Sequence, residues 1–232
     1  MKKNKMMAAQ SFLDGGPYYV PERFPGSGAP GLFLEEFFGV KANCRDTPDS
    51  ELGEYKWTGG GDYGLNMSHK TPEEHGAALA MLNKYGTISN RTGRKALYHT
   101  FNTSEKNNRL GIILTANLDS FQLVDLQTNE TLASWKQNTL ANVLLSKHRH
   151  LHVFEGKFDP NTRILMPIAC TYFNEMKLDI VMTAVRDGLI SVEANFAYLP
   201  DGRVKDRGFR FRIKRDVIPK LYLHQKLLIR SL

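Results

Sequence analysis

From Ile190 to Lys214 the chain alternates almost without a break. Ile190, Val192, Ala194, Phe196 and Tyr198 fall on every second position, Pro200-Asp201-Gly202 supplies a turn, and Phe209, Phe211 and Ile213 then alternate with Arg210, Arg212 and Lys214. Side chains leave a strand on opposite faces with a period of two, so the pattern reads strand, turn, strand. It commits the chain to a sheet with one buried face. It also makes the other face of the last strand cationic.

Further strands are expected at Gly53 to Trp57, Leu65 to Lys70, Leu110 to Ala116, Phe121 to Leu126, a stretch ending at Trp135, Leu151 to Phe154, and Ile164 to Phe173. Helices are expected at Gly31 to Phe38, Thr139 to His148, Glu175 to Asp187 and Asp216 to Leu228. Another is expected from Thr71 through Tyr85, where Thr71, Pro72 and Glu74 read as an N-cap, a first-turn proline and a capping box. In the Gly31 to Phe38 helix, Leu34, Phe37 and Phe38 suit an inward stripe with Glu35 among them. Residues 1–30 carry dense Gly and Pro and read as an arm followed by a loop. The class is α/β, and its strands and helices do not alternate regularly enough for a doubly wound parallel sheet.

The 232 residues, 41% apolar, suffice for one large domain or two lobes. No apolar run approaches a membrane span, and the stretch after the basic Met1 to Lys5 is too short for a secretory leader. Cys44 and Cys170 are not spaced as a metal pair and read as free thiols of a cytoplasmic protein. Net charge is +7, but it is concentrated. Residues 203–232 hold ten Lys and Arg against two Asp, while the other 202 residues are nearly neutral, with 21 basic and 22 acidic side chains. One basic segment on a neutral body suits a polyanion partner; a solvated basic tail is the plainer alternative.

The stretch Thr47-Pro48-Asp49-Ser50-Glu51-Leu52-Gly53-Glu54-Tyr55-Lys56 carries the candidate chemistry. On a strand from Gly53, Glu54 and Lys56 share a face, and Asp49 stands just upstream at a turn favoured by Pro48. Two carboxylates and one ammonium in a small volume are the minimum for cutting a phosphodiester with magnesium. A string this short is also compatible with a surface strand of scattered charges. In the basic segment, Lys205-Asp206-Arg207-Gly208 leads into the alternating strand. Arginine forks match guanine edges and a carboxylate accepts from the cytosine amino group, so the set can read a G·C-rich site in double-stranded DNA. Its plainer alternative is an edge strand kept from aggregating by charge.

Four segments, in order, are similar to one family. Gly31-Leu32-Phe33-Leu34-Glu35-Glu36-Phe37-Phe38-Gly39-Val40, then Pro48-Asp49 through Glu54-Tyr55-Lys56, then Leu65 to Pro72 with Asn83-Lys84-Tyr85-Gly86, and finally Lys205 to Ile213 resemble the MvaI/BcnI group of type II restriction endonucleases, which share a fold with the repair nickase MutH. The resemblance implies a restriction-endonuclease-like mixed sheet flanked by helices, with two lobes around a DNA cleft. It suggests a catalytic lobe over about residues 31–105 and a recognition lobe over about 106–232. It implies a monomeric, magnesium-dependent, site-specific endonuclease of double-stranded DNA, with no membrane partner. Asp49 and Glu54 would bind the metal, Lys56 would assist the water, Glu35 would belong to the surround, and His69 would stand near the scissile phosphate. A satisfied strand histidine is the alternative for His69. Lys205, Asp206, Arg207, Arg210 and Arg212 would contact DNA. The familiar members, whose usual target is of the CC-x-GG type, carry histidine where Lys205 stands, so this chain departs from their pattern at a base-reading position. A MutH-like strand-specific nickase and a DNA-binding protein without nuclease activity are the competing readings.

Overall fold

The computed structural model describes residues 2–40, 48, 53–59, 65–103 and 109–231, without the side chains of 2–5, 206 and 207. In chain order the elements are α1 (Lys2–Gly15), β1 (Tyr18–Tyr19), α2 (Ala29–Phe37), β2 (Glu54–Thr58), β3 (Leu65–Lys70), α3 (Ala77–Tyr85), β4 (Thr87–Ile88), β5 (Lys95–Phe101), β6 (Ile112–Ala116), β7 (Ser120–Asp125), β8 (Thr131–Lys136), α4 (Gln137–His148), β9 (His150–Asp159), β10 (Ile164–Met176), α5 (Leu178–Arg186), β11 (Ile190–Tyr198), β12 (Val204–Ile213) and β13 (Tyr222–Ile229). Short 3-10 turns occupy Gly26–Gly28 and Arg215–Leu221. No described helix is long and apolar enough to cross a membrane.

The chain divides into two units, each built from separate stretches. One holds Met1–Tyr63, Leu144–Lys177 and Ile218–Leu232; the other holds Gly64–Val143 and Leu178–Val217. The chain leaves the first unit and re-enters it, once within α4.

The first unit is built on the sheet β1-β10-β9-β2, with β13 also paired to β10. β9 and β10 form a long antiparallel hairpin, and β2 joins the far side of β9 in parallel register, Glu54 opposite Leu151 and Lys56 opposite Val153. Asp159 closes the hairpin turn by accepting from the Asn161 amide at 2.9 Å and the Thr162 hydroxyl at 2.8 Å. The arm expected at the N-terminus is instead the helix α1. Its first thirteen residues contain no Gly or Pro, and Ala9, Phe12 and Leu13 are buried at helical spacing. The Phe12 ring meets Tyr18, Phe37, Phe38 and Phe154 at centroid distances of 4.9, 4.8, 5.8 and 5.1 Å. Of the stripe expected on α2, Leu34 is fully buried, while Phe37 keeps 44% exposure beside Phe12 and Tyr18.

The second unit carries the sheet β3-β12-β11-β5-β4 and the small sheet β6-β7-β8. Its core is the apolar face read from the alternation: Phe209, Phe211 and Ile213 of β12 with Val192, Ala194 and Phe196 of β11 are all buried. Trp135 of β8 lies edge-on to Phe209 and Phe211 at 5.1 and 5.3 Å and donates its indole N–H to the Lys70 carbonyl at 3.1 Å.

Three local expectations give way to tertiary partners. The capping box at Thr71 does not start a helix; α3 begins at Ala77, after Gly76 in the left-handed region. The Glu74 carboxylate accepts instead from the Ser134 amide at 2.5 Å and hydroxyl at 2.6 Å. The C-terminal helix expected from Asp216 is a 3-10 turn holding Pro219, followed by strand β13. Proline lacks the N–H that a helix interior needs, and the open edge of β10 offers residues 222–229 a full ladder. The helix expected at Glu175 begins at Leu178, because β10 runs on to Met176 with Glu175 at φ 64°. Strand β5 has no counterpart among the strands expected from the sequence.

Candidate active site and nucleic-acid interface

Glu54 opens β2 and is 1% exposed. Gly53 before it has φ +128°, and a Cβ there would stand 2.3 Å from the His150 carbonyl, so the backbone leading into β2 presses against the start of β9 where only glycine fits. A buried carboxylate must be paired to stay charged. Lys56, on the same face as expected, places Nζ 2.5 Å from Glu54 Oε1. A second ammonium, that of Lys147 in the last turn of α4, lies 3.6 Å from the same oxygen. Oε2 of Glu54 is buried and has no hydrogen-bond partner among the described residues. Tyr222, the first residue of β13, donates to the His148 carbonyl at 2.9 Å. Burial, and then the charge of Glu54, push its phenol well above the ordinary tyrosine range, so it stays protonated.

The donor chemistry fits a hard divalent cation. A buried carboxylate oxygen left unshared is the ligand such an ion takes, and two lysines on the other oxygen hold the group in place. Asp49, the second expected ligand, lies outside the described residues. Among the described residues no three His, Cys, Asp or Glu side chains are grouped to hold a metal.

Glu35 lies in the same unit, half-buried on α2, and its carbonyl accepts from the Val40 amide at 2.8 Å. That helix packs on β2 through Phe38, stacked on Tyr55 at 4.2 Å and 7°. His69 belongs to the other unit. It is exposed on β3, in register with Arg210 of β12.

On the second unit the expected cationic face has an acidic centre. Arg210 pairs with Glu193 of β11, and the Glu193 carboxylate binds both arginines: Arg210 Nη1 at 3.5 Å, and Arg212 Nη1 in a shorter contact. Asn195 donates to it at 3.4 Å. Burial alone raises the Glu193 carboxyl, but the hydrogen bond and charge of Arg212, with Asn195 and Arg210, outweigh it and hold the group below the ordinary carboxylate range. Lys205 is exposed at the far end of the same sheet. The side chains of Asp206 and Arg207 are outside the described set.

The protein-family comparison settles what kind of chain carries these two clusters. The model of the MvaI/BcnI restriction endonuclease family matches residues 16–222.

The chain belongs to the MvaI/BcnI restriction endonuclease family.

Membership makes it a DNA-cleaving hydrolase of the restriction type. Among solved structures it is similar to "Restriction endonuclease MvaI-cognate DNA substrate complex", with a TM-score of 0.79 and 19% identity over 97% of each chain. It is also similar to "Restriction endonuclease MvaI in the absence of DNA", with a TM-score of 0.55 and 20% identity over 98% of this chain and 97% of that one. These likenesses establish the fold expected from the sequence. No curated protein matches.

Within the family's architecture, three side chains escaped the sequence reading. Lys147 reaches Glu54, and Tyr222 the carbonyl of His148 next to Lys147 in sequence, from remote segments that no local pattern marks. Glu193 did leave a signal: it occupies the polar side of the alternating strand, opposite Arg210.

Proposed function

We propose that this protein is a magnesium-dependent type II restriction endonuclease that hydrolyses double-stranded DNA at a short G·C-rich site. The observation that carries the reading is the Glu54 carboxylate: buried, clamped by Lys56 and Lys147 through one oxygen, and unshared at the other.

In this reading Glu54 and Asp49 hold the magnesium. The bound ion would supply charge neutralisation at the scissile phosphate. Lys56 holds and polarises the attacking water, and with Lys147 keeps the Glu54 carboxylate oriented. The water oxygen bonds to phosphorus as the bond to the 3′ oxygen breaks; that oxygen takes a proton, leaving a 5′-phosphate and a 3′-hydroxyl. Arg210 and Arg212 read guanine edges, with Asp206 and Arg207 beside them. One chain with one such site cuts the strands in separate events, so nicked DNA precedes the double-strand break.

A magnesium titration on supercoiled plasmid and on unmodified phage DNA, with a Glu54→Ala control, tests this. Discrete fragments that vanish in the control, with DNA binding retained, are expected. Nicking that never proceeds to a break would replace the reading with a strand-specific nickase. Cleavage undiminished in the control would remove Glu54 from the site.

A further inference from the structure

Beyond the arginine pair, the polar face of the second unit's main sheet holds a pocket of about 290 Å³ lined by Arg91, Tyr98, Asn195, Ala197 and Lys205. The residues come from three strands and a loop. Tyr98 of β5 is paired with Asn195 of β11, and Lys205 of β12 is paired with Ala197 of β11. Arg91 comes from the turn between β4 and β5. Asn195 also binds Glu193, so the pocket continues the polar strip that holds Arg210 and Arg212.

The pocket's charge is unanswered. Arg91, Lys205 and the Tyr98 hydroxyl have no hydrogen-bond or ion-pair partner among the described residues, in contrast to Arg210 and Arg212, which share a carboxylate. Tyr98 is 54% exposed. Two cations converging on one concave site beside a phenol and an amide make a site for a single anion. No carboxylate stands among the pocket's described lining residues, which leaves the anion to be supplied from outside.

We propose that this pocket grips one phosphodiester of the DNA backbone, through Arg91 and Lys205, with Tyr98 and Asn195 as neutral donors. The inference rests on the nuclease reading above. It assigns Lys205 to the backbone rather than to a base edge. Such a contact adds affinity without sequence choice.

Neutralising one phosphate changes the slope of log K against log salt by about 0.9. Fluorescence anisotropy of a duplex carrying the target, in the absence of cleavage, should give a slope shallower by about 0.9 for Arg91→Ala and for Lys205→Ala. The double variant should lose no more than either single one, because both serve the same phosphate. Replacing phosphates one at a time by neutral methylphosphonates should reveal one position that weakens the wild type but not the double variant. The fragment pattern of Arg91→Ala should match the wild type. An unchanged slope in the variants would overturn the proposal, and so would additive losses or an altered fragment pattern, the latter placing a base in the pocket. A wild type that binds no DNA would instead fell the nuclease reading itself.

Discussion

Lys147 reaches Glu54 from the end of a helix: its ammonium nitrogen lies 3.6 Å from the oxygen that Lys56 already holds at 2.5 Å. Two cations on one carboxylate oxygen offset the desolvation cost of burying that group and fix its orientation.

Lys147→Met should therefore lower the cleavage rate by about 10–100-fold, the range for partners that orient a metal ligand. Lys147→Arg should retain a larger share than Lys147→Met. Single-turnover cleavage at saturating DNA and magnesium checks both. An unaltered rate in Lys147→Met would make the lysine a bystander.

Glu193→Gln should loosen the two arginines that Glu193 now holds. Arginines freed from a carboxylate meet any phosphate more readily, so affinity for unrelated DNA should rise while discrimination falls by about 1–3 kcal/mol. Paired titrations with target and scrambled duplexes measure the ratio. Arg212→Ala should lower the same ratio by removing the reader itself.

Phe12→Ala should destabilise the first unit by about 3–5 kcal/mol, the usual cost of emptying a buried aromatic site. Four rings lose a neighbour at once. Chemical denaturation would show it. A dispensable arm would show no loss.

Asp125 closes the turn after β7, accepting from the Tyr85 hydroxyl at 2.6 Å and from the Gln127 amide at 2.8 Å, with Lys84 at 3.1 Å. The Tyr85 bond first, then the Gln127 amide, hold its carboxyl well below the ordinary value of 3.8. A carboxyl depressed on folding stabilises the fold above its ordinary pKa, and the contribution is lost as the pH falls toward the lower folded value. The gap in melting temperature between wild type and Asp125→Asn should be widest near neutral pH and close as acid is added below the ordinary carboxylate range. A gap that does not change with pH would assign the effect to shape rather than charge.

The sequence disclosed most where one residue's neighbours in the chain are also its neighbours in space. Glu54 and Lys56 share a face because a strand puts them there, and the alternation from Ile190 to Ile213 marks the buried face of the second unit directly. It disclosed least where a distant partner decides. Glu74 carries the signature of a helix start, yet Ser134 takes its carboxylate. Residues 222–229 contain no strand alternation, yet the edge of β10 extends them. Lys147 is one lysine among many until α4 is placed beside β2. Asp49, which would complete the metal pair, lies outside the described residues.

The strand that flanks β10 is β13, made late, whereas β2 with Glu54 is made early, and the two belong to one sheet through β10 and β9. Synthesis therefore delivers Glu54 long before the sheet that holds it is complete. A chain made only as far as residue 221 holds Glu54, Lys56 and Lys147 but lacks the strand that pairs with β10 and the tyrosine that donates to the His148 carbonyl. The sheet that carries Glu54 is thus closed by segments far apart in the chain, and its pairing cannot finish before residues 222–229 are in place beside β10.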